Sequence, residues 1–291
     1  MKTLFNDACD PLLKLAGVAF ATSLLAACAT PPPPVVLSPD TLIALTHKLE
    51  LLTVNAAQPS KVLQRTSVTG LPTGETLVGM DFRVARGVLF ALSNTGRLYT
   101  VDVPTGAAKP VGSGPGVALQ GKRFGVDFNP VADRIRVVSD SGQNLRLHPD
   151  TGALAATDPA VSYAQSDKQA LQTPELSGAA YTYNKRDDTL TTNYAIDQKS
   201  GTLVSQGSIE GGQPVVSPNT GLLRTVGPLG TGGLQEVAFD IADVTGIAYA
   251  ALRGTSAPAT QLYTINLSTG VATLVGPVGD GSALLGLTVQ P

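Results

Sequence analysis

The amino-acid sequence predicts an all-β protein, a β-propeller whose blades are four-stranded antiparallel sheets. The first observation is a ten-residue repeat motif. It reads RLYTVDVPTG at 97–106, and related copies stand at 143–152, 192–201 and 261–270, with a worn copy from Glu50. The second is an Asp-bearing strand that precedes the motif, and the third is that the two ends of the domain complement each other. Repetition at about the length of one blade favours a radial β architecture.

The repeat motif is typical of a strand followed by a tight turn and a return strand. In the copy at 97–112, strand alternation places Leu98 on one face and Tyr99 on the other. A strand that is apolar on both faces is expected to be covered on both sides. Pro104 and Gly106 supply the turn, since proline presets φ and glycine accepts a positive φ.

The Asp-bearing strand and its partner complete a unit of four strands. The Asp-bearing strand reads LVGMDF at 77–82, FGVDF at 124–128 and EVAFDI at 236–241, and each copy is followed by a turn and a second apolar strand. With the repeat motif and its return strand, such a unit has the four antiparallel strands of a propeller blade. The unit at 178–227 departs from this pattern, since GGQPVVSPNT at 211–220 interrupts its return strand.

The two ends of the domain predict how the ring closes. The first unit contains strands at 42–45, 50–55 and 61–68 but no Asp-bearing strand before them. The C-terminus adds LLGLTVQ at 284–290, which reads like the Asp-bearing strand without its acid. Pairing these ends in one blade would close the ring and remove exposed sheet edges. We therefore expect five blades; six blades, with a reduced extra blade at 202–228, and a β-sandwich are the alternatives.

Composition fits one large β domain and excludes some partners. The chain has 291 residues, of which 43% are hydrophobic, 14% are charged and 31 are glycine, which suits a turn-rich fold with a substantial core. The formal net charge of −2 provides no basic surface, so we expect no nucleic-acid partner. The absence of Trp and the 5% aromatic content argue against a stacking platform for sugars or single strands.

The N-terminus resembles a bacterial lipoprotein signal. Lys2 and Lys14 are its positive residues, and the apolar run LAGVAFATSLLAA at 15–27 is too short to span a membrane. The run leads into Leu-Ala-Ala-Cys, so cleavage is expected before Cys28, whose thiol would carry the lipid; an ordinary secretory signal is the alternative. The predicted organisation is a signal peptide at 1–27, a lipidated Cys and Pro-rich tether at 28–40, and a single propeller domain at 41–291.

Lipidation would place the protein in the cell envelope, with the membrane as a partner through the lipid anchor. Ala29 is not the acidic residue that, in enterobacteria-like sorting, retains a lipoprotein at the inner membrane. We therefore expect attachment to the outer membrane, facing the periplasm; a cell-surface or secreted location is the alternative. Cys9 would be removed with the signal, which leaves the domain without a thiol for disulfide, metal or nucleophile chemistry.

Three aspartates form the candidate site. Asp81, Asp127 and Asp240 take the same place in three units, and the first strand of a blade lines the central channel. Their oxygens could bind a hard cation such as Ca²⁺, and we expect no other cofactor; they could also supply acid and base groups to a lactonase-like site. Alternatively, each carboxylate accepts backbone N–H bonds from a turn of the adjoining blade and locks the blades together. Repetition at equivalent positions favours this structural role.

Other candidate residues are few. His47 and His148 are the only histidines, too few for a zinc site or a Ser-His pair, and His148 lies in a predicted turn; we assign no catalytic residue. Three arginines are predicted on neighbouring strands of one unit: Arg134, Arg136 and Arg146. With Asp133 and Asp140 nearby, they form either an anion pocket or the ion pairs that are commoner on a strand face.

The sequence around the repeat motif resembles a known family. Residues 123–152, RFGVDFNPVADRIRVVSDSGQNLRLHPDTG, together with LVGMDFR and LFALSNTGRLYTVD at 77–102, are similar to the bacterial domain-of-unknown-function family 4394. The resemblance extends over about residues 42–290. It implies a β-propeller-like domain, usually exported, and it brings no established activity and no catalytic residues.

These observations predict a lipid-anchored envelope propeller that acts as a binding or scaffolding module, not as an enzyme. Its partner would be an envelope protein or a small molecule. The alternative is a metal-dependent, lactonase-like hydrolase that uses the channel carboxylates. Because the recurring residues are those that a propeller needs to fold, we expect function where the repeat is broken, at 207–220 and 156–177.

Overall fold

The computed structural model describes residues 40–114 and 116–291. Its strands are, in chain order, β1 (Thr41–Thr46), β2 (Glu50–Asn55), β3 (Gln58–Ser67), β4 (Leu77–Arg83), β5 (Val88–Ser93), β6 (Leu98–Val101), β7 (Ala108–Pro110), β8 (Phe124–Asn129), β9 (Arg134–Ser139), β10 (Asn144–Leu147), β11 (Leu154–Thr157), β12 (Ser162–Tyr163), β13 (Leu176–Tyr181), β14 (Asn193–Asp197), β15 (Thr202–Gln206), β16 (Leu222–Pro228), β17 (Leu234–Ile241), β18 (Ala248–Gly254), β19 (Gln261–Ile265), β20 (Ala272–Pro277) and β21 (Leu284–Val289). Single turns of 3₁₀ helix occur at Val84–Arg86 and Pro218–Thr220. No helix within the described ranges has the length and apolar character to span a membrane. The predicted signal peptide, Cys28 and the Pro-rich tether lie outside the described residues.

The strands form five sheets, which are the blades of a propeller. From the innermost strand outward, blade 1 is β21-β1-β2-β3, blade 2 is β4-β5-β6-β7, blade 3 is β8-β9-β10-β11, blade 4 is β13-β14-β15-β16, and blade 5 is β17-β18-β19-β20. Neighbouring strands within these blades are antiparallel, and β12 joins the outer edge of blade 4 parallel to β16. The predicted five-bladed propeller is confirmed. Residues 202–228 form β15 and β16 of blade 4, so the alternative of a sixth blade there is wrong.

The ring closes as the chain ends predict. β21 pairs antiparallel with β1, with Leu42 opposite Val289 and Ala44 opposite Leu287. The inner strands contact one another in the order β21, β4, β8, β13, β17 and back to β21. Blade 1 therefore obtains its inner strand from the C-terminus, and the ring has no open edge between its first and last blades.

The hydrophobic core is divided among the five interfaces between neighbouring blades. In β1, Leu42 packs toward blade 5, whereas the next residue, Ile43, packs toward blade 2. In β6, Tyr99 belongs to the interface with blade 1 and Leu98 to the interface with blade 3. Both faces of a blade are therefore buried, which explains why the repeat motif is apolar on both faces.

Glycines allow the inner strands to approach one another closely around the axis. They stand two residues before the acid position or its equivalent in four inner strands: Gly79, Gly125, Gly178 and Gly286. A Cβ atom on Gly125 would lie 2.6 Å from the backbone nitrogen of Ala179 in blade 4, and one on Gly79 would lie 2.5 Å from Cγ2 of Val126 in blade 3. A side chain at these positions would push the blades apart, so the recurring glycine is needed for the ring to close at this diameter.

Candidate functional site

Five inner-strand positions are equivalent in the five blades. From blade 1 to blade 5 they hold Thr288, Asp81, Asp127, Ala180 and Asp240. The structure brings the three aspartates together at the ring axis, and all three are buried. Threonine takes the place of the acid in blade 1, and alanine takes it in blade 4, so the acids form an incomplete ring.

Each aspartate accepts a hydrogen bond from the inner strand of the next blade. The donor is the residue that follows the equivalent position in that blade: Phe128 N to Asp81 Oδ2 (2.8 Å), Tyr181 N to Asp127 Oδ1 (3.0 Å), and Val289 N to Asp240 Oδ2 (2.6 Å). These bonds link blade 2 to blade 3, blade 3 to blade 4 and blade 5 to blade 1. The predicted hydrogen bonds between neighbouring blades are therefore present, but their N–H donors lie in inner strands and not in turns.

The same carboxylates also converge on one another. One oxygen from each lies within 4.8 Å of the oxygens of the other two. Thr288 Oγ1 donates to Asp81 Oδ1 (2.8 Å), and Ile241 N donates to Asp240 Oδ1 (2.6 Å). The sequence analysis treated hydrogen bonding to the next blade and convergence at one site as alternatives. The three carboxylates do both, because a carboxylate has about four lone-pair sites and the bond to the next strand uses only one.

Burial raises the pKa of all three carboxyl groups. The pKa of Asp240 rises to about 6. The pKa values of Asp81 and Asp127 lie well above the ordinary value, because the charge of a neighbouring aspartate adds to burial at each of them. Half-buried Asp243 has its pKa raised to about 7 by burial and then by the charge of Asp240. Burial and the neighbouring charges therefore favour the protonated form of the cluster, whereas a bound cation would favour its ionised form.

The carboxylates form the floor of a pocket of about 300 Å³ at one mouth of the ring. The segments that follow β4, β8, β13 and β17 form its walls, where Asp188 and Asp243 add further acid groups. Among the described residues that line it, Arg83 is the only lysine or arginine. This guanidinium is ion-paired with Asp133 and, at 2.6 Å, with Asp150. The pocket consequently presents net negative charge.

The opposite mouth of the ring has a different character. A cavity of about 210 Å³ lies there, at the beginnings of the inner strands, and Lys122 and Arg123 are among its lining residues. His47, which also lines it, places Nε2 at 3.5 Å from Glu236 Oε1. Between the two mouths, the glycine-bearing segments of the inner strands surround a void of only about 20 Å³. The ring is therefore narrow between its two mouths.

The predicted arginine cluster is an ion-paired network. Arg136 is only 1% exposed, and it donates at 2.5–3.1 Å to four groups: Asn144 Oδ1, Asp158 Oδ2, Asn219 Oδ1 and the Tyr181 hydroxyl. Arg146 makes a two-point ion pair with Asp158, at 2.8 and 2.9 Å. The partner is Asp158 rather than the predicted Asp133 or Asp140. Asp158 lies 22 residues after Arg136 in the chain. It belongs to a loop, whose position cannot be predicted from the alternation of apolar residues in strands.

Sequence reasoning missed three further groups at the axis. Thr288 takes the acid position in LLGLTV at 284–289, which corresponds to LVGMDF at 77–82. Aligning these two segments would have placed the Thr288 hydroxyl near Asp81. Asp243 follows β17, and only the fold of the turn places its carboxyl in the pocket. Tyr181 donates its backbone N–H to Asp127 and accepts from Arg136 at its hydroxyl. The arginine network and the acidic cluster are thus connected through one residue.

The comparison with solved structures supports the fold. A protein of unknown function from Bacteroides thetaiotaomicron VPI-5482 is similar to this chain with a TM-score of 0.52 and 12% identity, over 85% of this chain and 60% of that one. At this identity, the similarity shows the fold alone. A search of curated proteins finds no match.

Two further solved structures are more distant. A Bacteroides uniformis ATCC 8492 protein, provisionally assigned as a 6-phosphogluconolactonase, has a TM-score of 0.41 and 16% identity, over 84% of this chain and 72% of that one. Dihydro-heme d1 dehydrogenase NirN, in complex with DHE, has a TM-score of 0.40 and 14% identity, over 81% of this chain. The chain spans 43% of the length of NirN. TM-scores of this size support no inference about activity.

A family model matches most of the sequence. The model, described as "Domain of unknown function (DUF4394)", matches residues 50–288. This range contains the repeat motifs, the three Asp-bearing strands and nearly all of the closing strand β21. The resemblance seen in the sequence is therefore confirmed, and the chain belongs to the DUF4394 family.

Proposed function

We propose that this protein is a lipid-anchored binding propeller of the cell envelope, which holds a divalent cation of the Ca²⁺ class in its axial pocket. The observation that supports the cation is the convergence of Asp81, Asp127 and Asp240, from three blades, at the floor of an accessible pocket. A purely structural role requires only the hydrogen bonds to the next blade. It does not require three carboxylates to share one centre.

The donor set fits a hard cation. Two oxygens bound to one Ca²⁺ at about 2.4 Å can be at most about 4.8 Å apart, and the three carboxylate oxygens lie within 4.8 Å of one another. Oxygen ligands favour Ca²⁺ over softer metals. Three ligands from the protein would leave coordination positions directed into the pocket, where water or an anionic group of a ligand could bind.

The negative charges of the three aspartates favour a bound cation, because the same repulsion that, in addition to burial, raises the pKa values of Asp81 and Asp127 is relieved by a positive charge. Three carboxylates this close repel one another when all are ionised. Arg83 cannot compensate, because it is already paired with Asp133 and Asp150. A divalent cation would supply the missing positive charge, and its binding near neutral pH would release protons from the cluster.

A calcium titration of the purified protein at pH 8 tests this proposal. By isothermal titration calorimetry we expect one Ca²⁺ per chain, with an affinity that Asp127→Asn lowers about tenfold or more. Asparagine removes the ligand charge, yet its Oδ1 can still accept the Tyr181 N–H. Asp188→Asn, at an exposed carboxylate of the same pocket, is the matched control. Equal affinity in wild type and Asp127→Asn, or no binding by the wild type, would contradict the proposal.

The membrane anchor is the second part of the proposal, and the Leu-Ala-Ala-Cys motif that ends at Cys28 supports it. Ala29 supports the outer membrane, facing the periplasm. The Cys28→Ser variant is expected to take up no lipid, because serine lacks the thiol that carries the acyl chains needed for stable anchoring. Metabolic labelling of cells with a radiolabelled fatty acid measures this, with Cys9→Ser as the control. Equal labelling of wild type and Cys28→Ser would refute lipidation at this residue.

A lactonase-like hydrolase is the second candidate function. Asp243 favours it, since a carboxyl with a pKa of about 7 beside the cluster suits acid–base chemistry. Calcium-dependent hydrolysis of a lactone, lost in Asp243→Asn while Ca²⁺ binding persists, would support the enzyme over the binding module.

A further inference from the structure

A cleft of about 540 Å³ lies between blades 4 and 5. Its walls are β14, β15 and β16 of blade 4, the loop at 207–220 that interrupts the repeat, and the turn of blade 5 at Leu267 and Ser268. It shares no lining residue with the acidic axial pocket. We infer that this cleft is a second ligand site, which binds a small monocarboxylate with an apolar chain.

The loop at 207–220 forms an apolar wall of the cleft. Its ends are joined where Ser208 N donates to the Val216 carbonyl (2.9 Å) and Val216 N donates to Ser208 Oγ (3.1 Å). Between these residues the chain leaves the sheet, and Ile209, which is 50% exposed, and Pro214 line the cleft. The insertion thus encloses space beside the sheet, as expected for a loop with a role beyond connecting two strands.

A row of polar side chains crosses the blade 4 side of the cleft. Tyr194, Ser205 and Arg224 stand directly opposite one another on β14, β15 and β16, so their side chains share one face of the blade. Because neighbouring strands are about 4.8 Å apart, the row spans about 10 Å. It presents a phenol at one end and a guanidinium at the other.

The two ends of this row have no protein partner in the part of the chain that the structure describes. Tyr194 is 8% exposed, and its hydroxyl makes no hydrogen bond to another described residue. Burial raises its pKa, so the phenol remains a hydrogen-bond donor at neutral pH. Half-buried Arg224 likewise forms no ion pair or side-chain hydrogen bond within the described ranges. Both side chains line the cleft, so each can donate a hydrogen bond to a bound ligand.

The lining determines the charge and polarity of the ligand. Arg224 is the only charged residue among the described residues of the cleft, so a monoanion is its complement, and a carboxylate matches the guanidinium with two hydrogen bonds. Ile209 and Leu267 suit an apolar chain. Glu210 lies near Tyr194 but does not line the cleft, and two hydrogen bonds from the segment after β13 hold its carboxylate. A volume of about 540 Å³ is within the usual range of small-molecule sites.

Titration of the purified protein with sodium decanoate, below its micellar concentration, tests this site. By calorimetry we expect saturable binding of one decanoate per chain. Arg224→Gln should weaken it by about ten- to a hundredfold, because a charge-assisted hydrogen bond is lost. Decanol should bind the wild type more weakly than decanoate and should be insensitive to Arg224→Gln. Arg186→Gln, which removes an exposed guanidinium between β13 and β14 that does not line the cleft, should leave decanoate affinity unchanged.

Two variants locate the site and separate it from the proposed cation site. Ile209→Asp, at a half-exposed position that should not disturb folding, is expected to abolish decanoate binding. Asp127→Asn should bind decanoate as the wild type does, because the two pockets share no residue. The inference is overturned if the wild type shows no saturable binding, if Arg224→Gln binds decanoate as tightly as the wild type, or if only Asp127→Asn loses binding.

Discussion

Raising the pH from 4.5 to 8 in the presence of a chelator is expected to lower the free energy of unfolding by about 2 kcal/mol or more. Burial raises the pKa of Asp240 from 3.8 to about 6, and those of Asp81 and Asp127 are raised as well. One pKa unit corresponds to about 1.4 kcal/mol, and most of the shift at Asp240 falls within this interval. The three groups titrate together because their carboxylates meet at one centre.

The free energy of unfolding falls with rising pH because the folded state holds more protons on these carboxyls than the unfolded state does. Near pH 5 the folded protein keeps protons on these carboxyls, whereas aspartates of the unfolded chain have largely released them. This contribution is fully present below about pH 4 and is lost as the pH rises through about 6, the folded pKa of Asp240. Asp102 and Asp167, whose pKa values are lowered from 3.8, produce the opposite trend mainly below this interval, and Glu75, whose pKa is lowered from 4.5, opposes the trend only in its lowest part.

Urea denaturation at pH 4.5, 6 and 8 measures this change. Asp240→Asn should flatten the profile, because the titrating group is gone while the amide oxygen can still accept the Val289 N–H. Asp188→Asn, at an exposed carboxylate of the same pocket, should leave the profile as it is. Calcium at about one hundred times its Kd should restore about 2.7 kcal/mol at pH 8. A free energy of unfolding that stays constant or rises from pH 4.5 to 8 would show that the cluster does not retain its protons.

The Arg136→Met variant is expected to lose about 3–5 kcal/mol of stability. The substitution removes four hydrogen bonds at once and leaves buried Asp158 with Arg146 as its only ion-pair partner among the described residues. The loss is large because three of the partners, Asn144, Asp158 and Tyr181, are buried, so water cannot readily replace the guanidinium there. Since Tyr181 loses its bond to Arg136, the strand that donates to Asp127 should also become less well held.

Chemical denaturation compares this variant with a neighbour on the same strand. Arg134 is half-buried and donates to the carbonyls of Ala132 and Asp133, so Arg134→Met should cost less than about 1 kcal/mol. Adding Asp158→Leu to Arg136→Met should recover part of the loss, because it removes a buried charge that lacks its main partner. Similar losses in Arg136→Met and Arg134→Met would mean that the buried network contributes little.

The fold could largely be predicted because its signals are local. Leu98 and Tyr99 lie on opposite faces of any strand, so their shared apolar character already indicated a blade that is covered on both sides. The orphan strand at 284–290 indicated closure, because one unit lacked an inner strand and the chain end offered one. Gly79, Gly125 and their equivalents were visible in the sequence, but their role follows only from the distance between neighbouring inner strands.

The candidate site could be predicted only in part. Asp81, Asp127 and Asp240 were found because they recur at one position, and recurrence also made a structural role the favoured hypothesis. Each carboxylate both bonds to the next blade and faces the other two, which no repeat pattern can express. Asp158 was missed for a related reason, since it comes from a loop whose path depends on the packing of blades 3 and 4.

By itself, the sequence determined the strand pattern, the closure of the ring and the three acids of the inner strands, and it favoured five blades over six. These properties depend on alternation and repetition between near neighbours in the chain, and the broken repeat led only to the expectation that function lies at 207–220 and 156–177. The tertiary structure alone decided that three carboxylates come within 4.8 Å, that their pKa values rise, and that Tyr194 and Arg224 share one cleft. Those properties depend on distances and burial between strands that are far apart in the chain, and such distances exist only once the ring has closed.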